Sequence, residues 1–376
     1  MSVSAGATHS VVVNADGSAW AFGADTKGEL GFSGLASRAT PTAIPGLRDA
    51  QEASAGDEHT LVLRSDGLVY AFGSNGLGEL GQGTVDDYPH PAAALVPGLN
   101  CVVSVAAGGH HSVALRADGT VWTFGRNDFG ELGRPQSTAV RIGATLADPT
   151  PAPVQGLSNV IAIAAGASHT LALRSDGTVW AFGWNWFGQL GTATNNRTNV
   201  ANANPQPVPG LNRITSVAAG GSHSLAVGAG GTVVAFGLNN DGQLGTTHNA
   251  GTTDPNPEPA LVKTVSGVIL VRAGAAHTVA LRSDGSVWTF GRNDAGQLGT
   301  TTNLGPTSSS NPVANPIAAR VPSLDDVTTM SAGYGHTLVV RSDGTVWGFG
   351  YNAWGQIGRP TAAPSGQNPT PEPIDR

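Results

Sequence analysis

Cysteine is almost missing from this chain of 376 residues: Cys101 stands alone. That excludes an internal disulfide and any metal site built from several thiolates. Charge is scarce too, at 12% of residues, and lysine is reduced to Lys27 and Lys263. With a net charge of −7 the chain lacks the basic surface that a phosphate-backbone binder needs, so direct nucleic-acid binding is not expected. No apolar run approaches the roughly 18 to 20 residues of a spanning helix, which excludes a helical membrane protein. Residues 1–15 show no basic stretch leading into an apolar one, so no export signal is visible. The compartment stays open on this basis: secreted or cell-surface if a signal precedes Met1, cytoplasmic otherwise.

Glycine is what the chain has in excess, 53 residues of it, with 24 prolines. Roughly one residue in seven is about twice the usual share and points to many tight turns. Length alone suggests two or three domains, but one phrase is written seven times: Ala-Gly-x-x-His-Thr/Ser, an alternating apolar run, Arg-Ser-Asp-Gly, Trp-x-Phe-Gly, then Asn-x-x-Gly-Gln/Glu-Leu-Gly. Its histidines are His9, His59, His111, His169, His223, His277 and His336, separated by 50 to 59 residues. Seven units at that period use the whole chain, so the expectation is one array. Its units fall near 1–48, 49–100, 101–158, 159–212, 213–266, 267–325 and 326–376.

Within a unit the alternation of apolar residues, many β-branched or aromatic, predicts strands. In unit four, Val160 to Ile163 reads as strand A, His169 to Arg174 as B, and Val179 to Gly183 as C, with Asp176-Gly177 as the B–C hairpin. The proline-bearing Pro205 to Val208 reads as strand D at an outer edge, where a missing N–H does no harm. Trp180 and Phe182 share one face of strand C, and the small Val179 and Ala181 share the other. Large-against-small stacking of successive sheets follows, burying a Trp and a Phe at each interface. Unit five departs, with Val234 in place of the aromatic and Gly230-Gly231 in place of Asp-Gly, and is predicted to be the softest.

The three-part motif at this period resembles the regulator-of-chromosome-condensation repeats over almost the whole chain. The resemblance implies an all-β fold, a seven-bladed β-propeller of four-stranded antiparallel blades. The chain begins inside an A strand and ends on a D strand, so no strand is shared across the seam between blades seven and one. That seam is expected to hold by packing alone unless Met1 is not the natural start.

Strand order sends the Gly-x-x-His turns and the long C-to-D connections to one face, here the upper, and the Asp-Gly hairpins and D-to-A links to the other. Upper loops vary. Those of blades three (Gly133 to Pro151) and six (Gly299 to Asn315) are long and rich in Thr, Asn, Ser and Pro, suited to exposure. Phe129, Trp184, Trp186, Phe187, Tyr334, Tyr351 and Trp354 stand at non-motif positions of this face, with Arg126 and Arg292 at the equivalent of Trp184. Trp, Tyr and Arg are the types enriched in interface hot spots, so these nine residues are the candidate partner-binding patch, centred on Trp184 to Phe187. Packing beneath their own loops is the competing structural reading.

No catalytic residue, cofactor or metal site is expected. Seven histidines spread one per blade cannot converge on an ion at about 2 Å, and a structural role bonding nearby backbone fits them better. His110, beside His111 in a variable turn, is expected to be more exposed. Asn239-Asn240-Asp241-Gly242 opens like a calcium loop but lacks the closing glutamate. Cys101, at the start of an apolar strand, reads as a buried small hydrophobe.

The expectation is therefore a non-enzymatic, monomeric module that engages a protein partner through its variable face. Nucleotide exchange on a small GTPase, which the family's namesake performs, is an alternative the resemblance implies. Enzyme inhibition or carbohydrate binding through the aromatic face is another. A light-sensing branch of the family carries tryptophans in the Gly-x-x-His turns; here those turns read Ala7-Thr8, Asp57-Glu58, Gly109-His110, Ala167-Ser168, Gly221-Ser222, Ala275-Ala276 and Tyr334-Gly335. Light sensing is not supported by them.

Overall fold

Each repeat closes into a sheet through its own hairpins. In blade four, strands Val160–Ala165, His169–Arg174 and Val179–Gly183 pair antiparallel as A, B and C, and Asn202–Pro207 pairs with C as D. The B–C register sets His169 opposite Gly183 and Leu173 opposite Val179. Gly177 turns the hairpin at φ +79°, a left-handed conformation open to glycine. The Asp176 carboxylate accepts the Thr178 amide and hydroxyl at 3.0 and 2.6 Å. The same pair of bonds is made by Asp16, Asp118, Asp284 and Asp343 and holds all five carboxyls below the ordinary Asp range.

The computed structural model describes residues 1–34, 36–135, 140–305, 313–360 and 366–375. Seven such sheets follow one another around a ring, A innermost and D outermost, with no helix among the described residues. Six are four-stranded; blade three carries a fifth strand, Val140–Ile142, outside its D strand Thr145–Pro153. The long connection expected there as exposed loop thus doubles back as a hairpin that caps the edge. In blade six the D strand shrinks to Ala319–Arg320, and residues 306–312 of its long connection lie outside the described residues.

The core lies between blades. Phe182 and Trp180 pack toward blade three, against Val113, Leu115 and Val121, while Val179 and Ala181 receive Phe236 of blade five. The strand C phenylalanines Phe22, Phe72, Phe124, Phe182, Phe236, Phe290 and Phe349 are fully buried. The tryptophans are not: Trp180, Trp288 and their equivalents are half-buried at the lower rim, so each interface rests on its Phe. Arginines cover the exposed side of these rings in every blade that has one except blade one, as Arg116 does over Trp122 at 3.9 Å and Arg341 over Trp347 at 5.2 Å.

A belt of histidines ties the blades together. Each repeated imidazole reaches the next blade and places Nε2 2.8–3.2 Å from the Ser or Thr hydroxyl that follows that blade's own histidine, as His111 does with Thr170. That hydroxyl donates in turn to a backbone carbonyl of the first blade, Glu131 in this instance, at 2.7–3.0 Å in all seven. With the hydroxyl hydrogen committed, the imidazole must donate, so Nε2 carries the proton and Nδ1 is bare. Burial pushes the seven down to about 3 to 4, which keeps them neutral. The structural role holds, but the partner is a hydroxyl on the neighbouring blade rather than nearby backbone. Glycine before each histidine gives the ring its room: a Cβ on Gly166 would lie 2.3 Å from His169 Cε1 and 2.5 Å from the Gly220 carbonyl.

This belt also crosses the seam. His336 bonds Ser10, Ser10 bonds the Gln356 carbonyl, Tyr334 N–H donates to Gly6, and Ala5 N–H donates to the Ser331 hydroxyl. Packing alone is therefore not what closes the ring; blades seven and one share the hydrogen bonds that join every other pair. Cys101 corrects another expectation. It precedes strand Val102–Ala107 in a left-handed turn (φ 52°) and is exposed, because the D-to-A link bends there before the strand begins.

Candidate functional site

The Asn-x-x-Gly-Gln/Glu-Leu-Gly segment builds the upper face. In blade four, Asn185 accepts the Leu190 amide through Oδ1 and donates through Nδ2 to the Thr192 and Thr194 carbonyls. The Phe187 amide donates to the Gln189 side chain, and the Phe187 carbonyl accepts the Asn256 amide of blade five. Phe129 is held the same way, by Glu131 and by Asn202. Both ends of each loop are thus tied to framework, and the side chains between them are presented on rigid backbone. Rigidity matters because ordering such side chains is a cost of association.

The nine residues expected at the partner surface divide into two groups. Phe129, Trp184, Trp186 and Phe187 form one aromatic cluster across blades three and four: Trp184 lies 5.4 Å from Phe129, 6.4 Å from Trp186 and 5.7 Å, edge-on, from Phe187. Arg126 covers Phe129 at 5.1 Å and is held by Asp128. All five are half-buried, so the rings pack on each other while keeping an open side. Both readings of these rings, packing and presentation, describe part of what is seen.

Tyr334, Tyr351, Trp354 and Arg292 gather three blades away, lining a cavity of about 520 Å3 at the junction of blades six, seven and one. Ala7, Thr8, Ala275 and Ala276 floor it from the Gly-x-x-His turns. Tyr334 and Trp354 are exposed, at 62% and 45%. Arg292 is clamped by buried Asp294, whose second oxygen accepts Gln297 at 3.1 Å. Asp294 and Gln297 were not anticipated; the signal was the shared Arg-Asn-Asp of blades three and six, Arg126 to Asp128 and Arg292 to Asp294, which makes the same pair in both.

Two further charged groups escaped the sequence. His110 is half-exposed as expected, yet it lies 3.4 Å from Glu79 and 4.0 Å from Asp57, and the Glu79 bond raises its pKa. At the lower mouth of the central channel, a space of about 420 Å3 holds Glu52 and Arg272 among small residues. Burial pushes Glu52 up to about 7 and Arg272 down. Among the described residues no group of three His, Cys, Asp or Glu side chains could hold a metal ion, and no helix is long and apolar enough to cross a membrane.

The family model for the RCC1-like domain matches residues 1–196 and 97–376, which between them span the chain. The chain belongs to the RCC1-like family. Its sequence is 31% identical over 365 residues to the ultraviolet-B receptor UVR8 of Arabidopsis thaliana, across 95% of this chain and 78% of that protein. It is 33% identical over 305 residues to the probable E3 ubiquitin-protein ligase HERC3 of Homo sapiens, but spans only 28% of that protein's length. In structure this RCC1-like ring matches Prp20p of Saccharomyces cerevisiae at TM-score 0.81 and 22% identity, over 97% of this chain and 88% of that one. Human WBSCR16 follows at TM-score 0.76 and 22% identity, over 91% and 87%. At these identities the structural likeness speaks for the fold.

Proposed function

We propose that this RCC1-like propeller is a non-enzymatic protein-interaction module whose upper face binds a protein partner. The observation that carries the reading is the contrast in aromatic side chains. Five of the six lower-rim rings are covered by arginines of their own blades, whereas in the two upper-face groups only Phe129 is, and the other rings stay open on rigid, framework-tied loops. Open aromatic rings on pre-ordered backbone suit hot spots. Structures of the yeast relative carry the same kind of role in their names: Prp20p is described with its binding to Gsp1p and histones, and with Kap60 bound to it.

The test compares capture from a lysate by the native chain, by Trp186→Ala with Phe187→Ala, and by a lower-mouth control, Ile161→Ala, which alters an exposed side chain outside the patch. Proteins enriched by the native chain should be lost from the upper-face variant and kept by the control. Equal capture by all three would remove the reading. The exchange alternative is tested separately, by release of a labelled guanine nucleotide from a panel of small GTPases; acceleration on any of them would turn the module into an exchange factor.

A further inference from the structure

We infer that the cavity between blades six, seven and one is a socket for a partner's cationic side chain, a lysine ammonium or its methylated form. This rests on the upper face being the partner-binding surface and adds the chemistry of what enters it.

Fifteen aromatic rings lie outside the seven buried strand C phenylalanines. Seven of them have a guanidinium 3.9–5.8 Å from the ring centre, among them Trp180 under Arg174 and Phe129 under Arg126. Tyr334, Tyr351 and Trp354 are among the rings over which, in the described residues, no cation stands, and these three line one cavity. Arg292 shares that cavity, but its guanidinium is turned to Asp294. Asp241 also neighbours Arg292 but stands outside the cavity lining, and burial raises its carboxyl. Asp241 Oδ1 is buried with no hydrogen-bond partner of its own. Residues 306–312 and 361–365, in the connections of the same two blades, contain no charged side chain that could fill the place.

Aromatic faces attract cations through their quadrupole, most strongly when the cation is soft and already poorly hydrated. The charged side chains of the lining, Arg292 and Asp294, are paired with each other, so the open rings set the preference. The volume falls within the range of small-ligand sites, about 300–1,000 Å3, so an ammonium with its methyl groups and part of the chain bearing it can enter. Arg292 is not free to clamp a carboxylate.

Choline serves as the probe, with 3,3-dimethylbutan-1-ol as its neutral isostere, and acetate and glucose as anionic and sugar probes. Binding to the intact chain is followed by titration calorimetry and ligand NMR. Choline should bind, and the neutral isostere should bind about 5-fold or more weaker, in line with a cation–π contribution. Trp354→Ala and Tyr334→Ala should each weaken choline about 5-fold or more without lowering the melting temperature, since both rings are exposed. Equal binding of the isostere, tighter binding of acetate or glucose, no binding of choline, or undiminished binding by Trp354→Ala would each overturn the socket. Trp186→Ala with Phe187→Ala should leave choline binding intact. A failed choline titration beside a successful capture experiment would therefore discard the socket and keep the partner surface.

Discussion

The histidine belt and the upper face are built from adjoining residues of the same repeats, yet they divide the work of the protein. The belt is identical in all seven blades: histidine to hydroxyl, hydroxyl to carbonyl, glycine beneath the imidazole. The face varies around the ring: Trp184 in blade four becomes Arg292 in blade six and Tyr351 in blade seven. A belt position is determined by both neighbouring blades, so any change leaves a buried polar group without its partner. A face position is tied to the neighbouring blade through its backbone, and its side-chain bonds, such as Arg292 to Asp294 and Trp184 to Asn199, stay within its own blade, so the side chain can vary without loosening the ring. Stability should follow the belt and binding the face.

The largest test of that division is acid. The belt histidines titrate near 3 to 4 when folded and near 6.5 when unfolded, so below about pH 6.5 the unfolded chain takes up protons first. Their stabilisation is full above pH 6.5 and is lost as pH falls toward 4. Asp25, Glu52 and Glu131, with raised values of about 6 to 7, act in the opposite sense together with Asp57, Asp241 and His110, which are raised as well, and they offset part of the loss. A net loss of roughly 5 kcal/mol between pH 7 and 5 is expected, read as a falling denaturant midpoint. A flat midpoint to pH 4.5 would show that the belt is not what holds the ring.

Next in size, Phe182→Ala should cost about 3–5 kcal/mol, because the ring is fully buried between blades. Trp186→Ala, on the face, should cost about 1 kcal/mol or less in the same melts while removing partner capture. Equal losses of stability would erase the distinction between framework and face.

A smaller change sharpens it. Asp25 stands in blade one where the other blades have asparagine; Oδ1 accepts the Leu30 amide, but Oδ2 is buried with no partner where Asn185 donates to two carbonyls. Burial accordingly pushes Asp25 up to about 6. Asp25→Asn should gain about 1 kcal/mol at pH 8, and the gain should shrink as pH falls from 6 toward 4, where the carboxyl is protonated in both the folded and the unfolded chain. A gain that does not shrink with acid would mean the charge is not the cause.

Smallest is blade five, whose Gly228 and Val234 replace the arginine and aromatic that cover each other in blades two, three, four, six and seven. Amides of 223–237 should exchange faster than their equivalents elsewhere. Gly228→Arg with Val234→Trp should slow them by about 0.5–1 kcal/mol, measured by hydrogen exchange.

Much of the fold was legible because it is local. Strands B and C of blade four and the hairpin between them need only the alternation of Leu171, Leu173, Val179 and Phe182 and the turn at Asp176-Gly177, all within fifteen residues. The D strands were visible through their prolines. The candidate residues were found one at a time, as aromatic departures from a repeated phrase. Their division into a stacked cluster and a cavity was not visible, since Tyr334 and Arg292 meet only where blades six and seven are placed side by side. Cys101 misled for the same reason: its apolar neighbours point to a strand, and the bend that exposes it belongs to the link from the preceding blade.

Repetition in the sequence by itself determined the unit, its strands, the number of blades and which face varies, because hydrophobic period and turn chemistry act over a few residues. Only the tertiary structure decided what joins one unit to the next. The hydroxyl that each histidine seeks lies 50 to 60 residues away, or 326 across the seam, and no local pattern specifies a partner at that distance. Closing the ring sets those distances, and with them the belt, the cavity and the three open rings that line it.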